Sequence, residues 1–78
     1  MTDAQLPTGP IETSPTGFVP DETQAFLIRE ALTKAGVELG AYDEKMVAWL
    51  AGWDWCTVAT IGSWITRAAQ ASTGERTT

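Results

Sequence analysis

The sequence predicts a small all-α fold. Three helices are expected, the second and third forming a helix-turn-helix-like pair, with a disordered arm in front. Three observations carry this. Apolar residues recur at spacings of three and four in successive stretches from Ala25 onward. Residues suited to helix starts and stops, Asp21, Gly36, Gly52 and Asp54, fall between those stretches. The first nineteen residues hold three of the four prolines, with Pro20 next, and offer little apolar surface.

The arm is expected over residues 1–20, with Phe18 and Val19 the residues suited to tuck against the domain. The domain proper is expected over 21–71, and "STGERTT" (72–78) reads as a frayed tail. Asp21 is placed to cap the first helix, with Gln24 returning the bond of a capping box. Ala25, Ile28, Leu32 and Ala35 make its apolar stripe, flanked by Leu27 and Ala31. Gly36 suits a left-handed C-terminal cap, with Val37 folding back on Leu32.

Asp43 and Glu44 fall in the first turn of the second helix, where carboxylates favour the helix dipole. Tyr42, Met46, Trp49, Leu50 and Trp53 follow at helical spacing, and Gly52 ends the element. Trp49 and Trp53 share a side, so core packing is their expected role. Asp54 suits the N-cap of a third helix running to about Ala71, with Val58, Ile61, Ile65 and Ala68 or Ala69 facing inward.

The remaining face of that third helix is unusual. It presents Trp55, Thr57, Thr60, Ser63 and Trp64, and its only charge is Arg67. These six residues are the candidate partner-binding set. The competing reading is a solvated face of small hydroxyls, with Trp55 and Trp64 covered by the first helix or by the arm around Phe18.

Between Ala48 and Ile61 a small residue is followed four positions on by Gly52, then by the apolar Trp53, with Val58 and Ile61 on the next helix. This spacing resembles the helix-turn-helix unit of phage and bacterial repressors, which implies a left-handed turn at Gly52 and a close helix contact at Ala48. The outward residues of the second helix of such a unit would be Trp55, Cys56, Thr57, Thr60, Ser63 and Arg67. The departure lies in the reading face: no Arg, Lys, Asn or Gln occurs between Asp54 and Thr66. More broadly, "GVELGAYDEKMVAWLAGWDW" and "TVATIGSWITRA" resemble short uncharacterised helix-turn-helix-like proteins of actinobacteria and their phages. That resemblance implies a small cytoplasmic product and no particular mechanism.

Composition narrows the function. With 78 residues the chain holds one thin core, and self-association or docking on a partner is expected from size alone. Ten acidic against five basic side chains disfavour a phosphate backbone as partner. Cys56 stands alone and there is no His, so neither an internal disulfide nor a zinc site is expected, and the thiol lacks a base to activate it. No cofactor motif or phosphate loop occurs, and an enzyme is not expected. The N-terminus lacks the basic and apolar regions of a signal peptide, so a cytoplasmic location is the expectation. Met46–Ile65 approaches the length of a membrane span, but Asp54 near its middle and its small polar residues favour a buried helix pair.

The expected function is a non-catalytic protein-interaction module, regulatory in character, docking the outer face of the third helix on a second copy or another protein. The alternatives are a dimeric helix-turn-helix DNA-binding regulator and a small membrane-inserted phage protein.

Overall fold

The computed structural model describes the backbone of residues 4–75 and the side chains of residues 4–71. It contains α1 (Asp21–Lys34), α2 (Ala41–Leu50) and α3 (Trp55–Glu75), and no strand among the described residues. The small all-α three-helix domain read from the sequence is the fold. The expected tail at 72–78 lies partly outside the described residues; α3 continues through Glu75, beyond the expected end near Ala71.

α1 is the centre of the molecule. It packs extensively on α3 and less on α2, while α2 and α3 meet each other only marginally. The core is small: Ile28 from α1, Val47 from α2 and Val58 from α3, bordered by Ala25, Leu32, Leu39, Leu50 and Trp55. The α2–α3 pair is therefore joined by the short turn at 51–54 and held mainly through α1.

Local structure explains the helix limits. At the end of α1 the Gly36 N–H donates to Thr33 O and the Val37 N–H to Leu32 O, with Gly36 at φ +85°. This is the left-handed cap expected of Gly36. At the other end the N-cap is Pro20, without a side-chain bond, and Asp21 lies inside the first turn. The capping box expected of Asp21 and Gln24 is absent because Gln24 is buried and used elsewhere. In α2 the N-cap is Gly40, whose N–H donates to Asp43 Oδ2 at 2.9 Å. Arg29 Nε donates to Glu44 Oε1 at 2.9 Å and ties α2 to α1 at the surface.

Two features implied by the helix-turn-helix spacing are not used. Ala48 is exposed, so it is no helix–helix contact. Gly52 does not adopt a positive φ. The turn is held instead by a long-range device: Gln24 Nε2 donates to Ala51 O and to Trp53 O, each at 2.8 Å. Two carbonyls facing one nitrogen fix the amide orientation, since carbonyls only accept. Gln24 Oε1 is buried without a protein partner.

Residues 4–20 carry no regular secondary structure, yet they lie on the helices. Leu6 sits directly on Gly62 of α3: a Cβ at Gly62 would come within 2.6 Å of Leu6 Cδ2. Val19 is buried, whereas Phe18 is exposed. The contacts of this segment with α3 come from Leu6 and from residues 10–15.

Candidate functional site

Two surfaces stand out, one on α2 and one on α3. On α2 the inner side is Val47, continued by Ala51 just past the helix. At about 100° per residue, Tyr42, Met46 and Trp49 cluster in one arc nearly opposite Val47, and Trp53 follows in the turn after α2. All four are exposed: Tyr42 70%, Met46 40%, Trp49 60% and Trp53 50%. Trp49 and Trp53 meet edge to face, with ring centroids 5.8 Å apart and planes at 75°. The core role expected for these two tryptophans is thus corrected. A ten-residue helix lying on one neighbour buries a narrow strip, and Val47, Leu50 and Ala51 already fill it. The rings pack on each other instead.

Among the described side chains of α3 the buried positions are Val58, Ala59, Gly62 and Ser63. Ile61, Ile65 and Ala69 are half-buried and Ala68 is exposed. The inner side is thus turned by about a quarter to a third of a turn from the stripe expected at Val58, Ile61, Ile65 and Ala68 or Ala69. Small residues allow α1 and the arm to approach the α3 backbone closely, and that contact outweighs burial of the larger isoleucines.

The six candidate partner-binding residues separate accordingly. Ser63 is fully buried, so it cannot present itself to a partner; its Oγ accepts from Arg67 Nε at 3.1 Å. Trp55 is half-buried and packs against the core. Thr57, Thr60, Trp64 and Arg67 are brought together as expected, on the side of α3 away from α1. They line a groove of about 810 Å³ whose other wall is Pro10–Pro15 of the arm. Trp64 is 58% exposed, while Thr57, Thr60 and Arg67 are partly covered. Thr60 Oγ1 donates to Cys56 O at 2.7 Å, so its hydroxyl is engaged within the helix.

The start of α3 is electrostatically ordered. Val58 N–H donates to Asp54 O at 3.1 Å, which makes Asp54 the N-cap as expected. The Thr57 side chain, then the Cys56 thiol at 3.3 Å, hold the exposed Asp54 carboxyl below its ordinary range. This supports a helix start. No cluster of metal-ligating side chains occurs among the described residues. No helix among them is long and apolar enough to cross a membrane.

Three functional features escaped the sequence reading. The exposure of the α2 stripe was hidden because its spacing equals that of a core stripe. The docking of Leu6 had one available signal, Gly62 in the middle of a helix, where glycine costs about 1 kcal/mol against alanine without a packing reason. The Gln24 clamp had none. No family model, curated protein or solved structure matches the chain.

Proposed function

We propose that this chain is a non-catalytic protein-interaction module, and that its docking surface is formed by Tyr42, Met46 and Trp49 of α2 with Trp53 of the turn after it. The observation that carries the reading is the exposure of the Trp49–Trp53 pair in line with two further large apolar side chains. Tryptophan and tyrosine dominate the energetics of protein interfaces, and methionine adapts to uneven partner surfaces. A stripe at helical spacing fits the groove or helix of another protein. This moves the expected surface from α3 to α2, because on α3 Ser63 is buried, Trp55 packs on the core and residues 10–15 stand beside the rest of the face. The DNA-binding alternative draws no support from α3, where Arg67 is the only charge from 55 to 71.

The test places a photo-reactive methionine analogue at Met46 and, as control, a photo-reactive residue at the exposed Glu30. Both proteins are illuminated alone and in extract of source cells. Adducts specific to position 46 that vanish with Trp49→Ser and Trp53→Ser, at unchanged helical circular dichroism, support the reading. Equal adducts at both positions, or adducts indifferent to the tryptophans, sink it.

A further inference from the structure

The groove along α3 carries a second inference, independent of the α2 surface. Arg67 is the unusual residue in it. Arg29, Lys34 and Lys45 are exposed, whereas Arg67 is drawn partly into the surface. Arg29 pairs with Glu44, but among the described residues Arg67 has no carboxylate partner, in a chain with ten acidic and five basic side chains. Its Nε donates to Oγ of the fully buried Ser63 at 3.1 Å, which anchors the guanidinium to the packed side of α3. That bond leaves the two terminal amino groups of the guanidinium open, and these form a planar fork that matches a carboxylate. Half-burying a cation costs desolvation free energy, which one neutral hydroxyl offsets only in part. The site is therefore poised for an anion.

The rest of the groove suits an apolar body. Trp64 and Ile61 lie one and nearly two turns before Arg67 on the groove side of α3, and Pro10, Ile11 and Pro15 belong to the opposite wall. The groove volume of about 810 Å³ falls within the range of small-ligand sites, roughly 300–1,000 Å³. Two carboxylates set the direction and charge of an occupant. Asp54 holds the Cys56 thiol at the far end, and about 16 Å of helix separate Cys56 from Arg67. An anionic head is repelled from that end and attracted to the Arg67 end. Glu12, exposed on the arm wall, favours one negative charge on the occupant over two. We propose that this groove binds a small monocarboxylate with a flat apolar body. The carboxylate sits on the Arg67 fork, and the body lies between Trp64 and the Pro10–Pro15 wall, pointing toward Thr57.

The probe is 2-naphthoate, titrated calorimetrically into the full-length chain at low salt. Neutral 2-naphthamide and doubly charged 2-naphthyl phosphate are the comparators. 2-Naphthoate should saturate with a dissociation constant of about a millimolar or below. It should bind about tenfold more tightly than 2-naphthamide, the discrimination of one charge-assisted bidentate pair, and no more weakly than the phosphate. Arg67→Gln should make 2-naphthoate and 2-naphthamide equal, and Arg67→Lys should keep part of the preference. Trp64→Ala should weaken both ligands about fivefold. Trp49→Ser, on α2, should change neither. Circular dichroism checks that each variant is folded. If Arg67→Gln loses helix signal, the wild-type chain decides: 2-naphthoate should slow alkylation of Cys56, which lines the groove, more than 2-naphthamide does at the same concentration. No saturable binding to the folded wild type, equal binding of 2-naphthoate and 2-naphthamide, or a preference that survives Arg67→Gln overturns the site. Tighter binding of the phosphate overturns the single charge. Loss of binding with Trp49→Ser places the ligand on the α2 stripe and overturns the groove.

Discussion

α2 and α3 both carry aromatic residues at helical spacing, but they use them in opposite ways. α2 has ten residues, buries Val47 and leaves Tyr42, Met46 and Trp49 outside. α3 has twenty-one residues, buries Val58, Ala59, Gly62 and Ser63, and has an arm across its far side. The contrast teaches that in so small a chain close approach decides what is buried. Small residues let a backbone come near α1 and the arm, while large rings stay outside unless a wide surface receives them. The far side of α3 thus has the arm beside it, and the outer side of α2 is open. Four experiments test this division.

The largest effect is expected at the joint between the two helices. Gln24→Ala removes both donors to Ala51 O and Trp53 O and leaves two carbonyls without them. Two net hydrogen bonds plus the exposed deficit amount to about 3 kcal/mol. Urea unfolding followed by circular dichroism measures it. A loss under about 1 kcal/mol would mean that the turn at 51–54 stands without the clamp, and that α2 is positioned by its own packing.

Next comes the contrast within α2 itself. Val47→Ala, in the core, should cost about 2 kcal/mol. Trp49→Ser should cost about 1 kcal/mol, the share of one edge-to-face contact and its partial burial. The smaller side chain therefore matters more to folding than the larger one. Equal costs would show that the Trp49–Trp53 pair supports the fold, and the docking role proposed for the stripe would lose its basis.

The arm contact is tested by a double-mutant cycle. Gly62→Ala in a helix interior should stabilise by about 1 kcal/mol where space exists. Here the added Cβ meets Leu6, whose flexible end must shift. The gain should appear in full in a Leu6→Ala background and be reduced by about 0.5 kcal/mol or more beside Leu6. Additive behaviour in thermal unfolding would detach the arm from α3.

These sites also mark where the sequence was legible. Helix number, Gly36 as a cap and Asp54 as an N-cap follow from local chemistry, which acts within a few residues and is written in them. The core members Ile28 and Val58 follow from periodicity. What periodicity does not give is which of two similar stripes meets a neighbour. Tyr42, Met46, Trp49 and Trp53 have the spacing of a core, and only the position of α1 decides that they face outward. Ser63 looked like a surface hydroxyl, but a small residue between bulky ones is also what close packing selects. Of the six candidate residues, Thr57, Thr60, Trp64 and Arg67 do gather on one face; what was not legible is that residues 10–15 already lie there. That contact joins positions more than forty apart in sequence, with no local signal beyond Gly62.

The smallest effect is expected at the surface tie between α1 and α2. Arg29 and Glu44 form an ion pair at 2.9 Å, with both side chains nearly half exposed. Water and salt screen such a pair, and ordering two long side chains offsets part of the attraction, so their coupling should be about 0.5 kcal/mol. A cycle of Arg29→Gln and Glu44→Gln in low salt, repeated near 1 M where the screening length is about 3 Å, should show that coupling and then its loss. The outcome bears on how α2 is held. If the coupling is small, Val47 and the Gln24 clamp carry the helix, and its aromatic stripe rests on a base that salt does not move. A salt-sensitive coupling above about 1 kcal/mol would instead make the orientation of α2 electrostatic. The exposure of Trp49 and Trp53 would then vary with ionic strength, and tryptophan fluorescence across the same salt series would register the change.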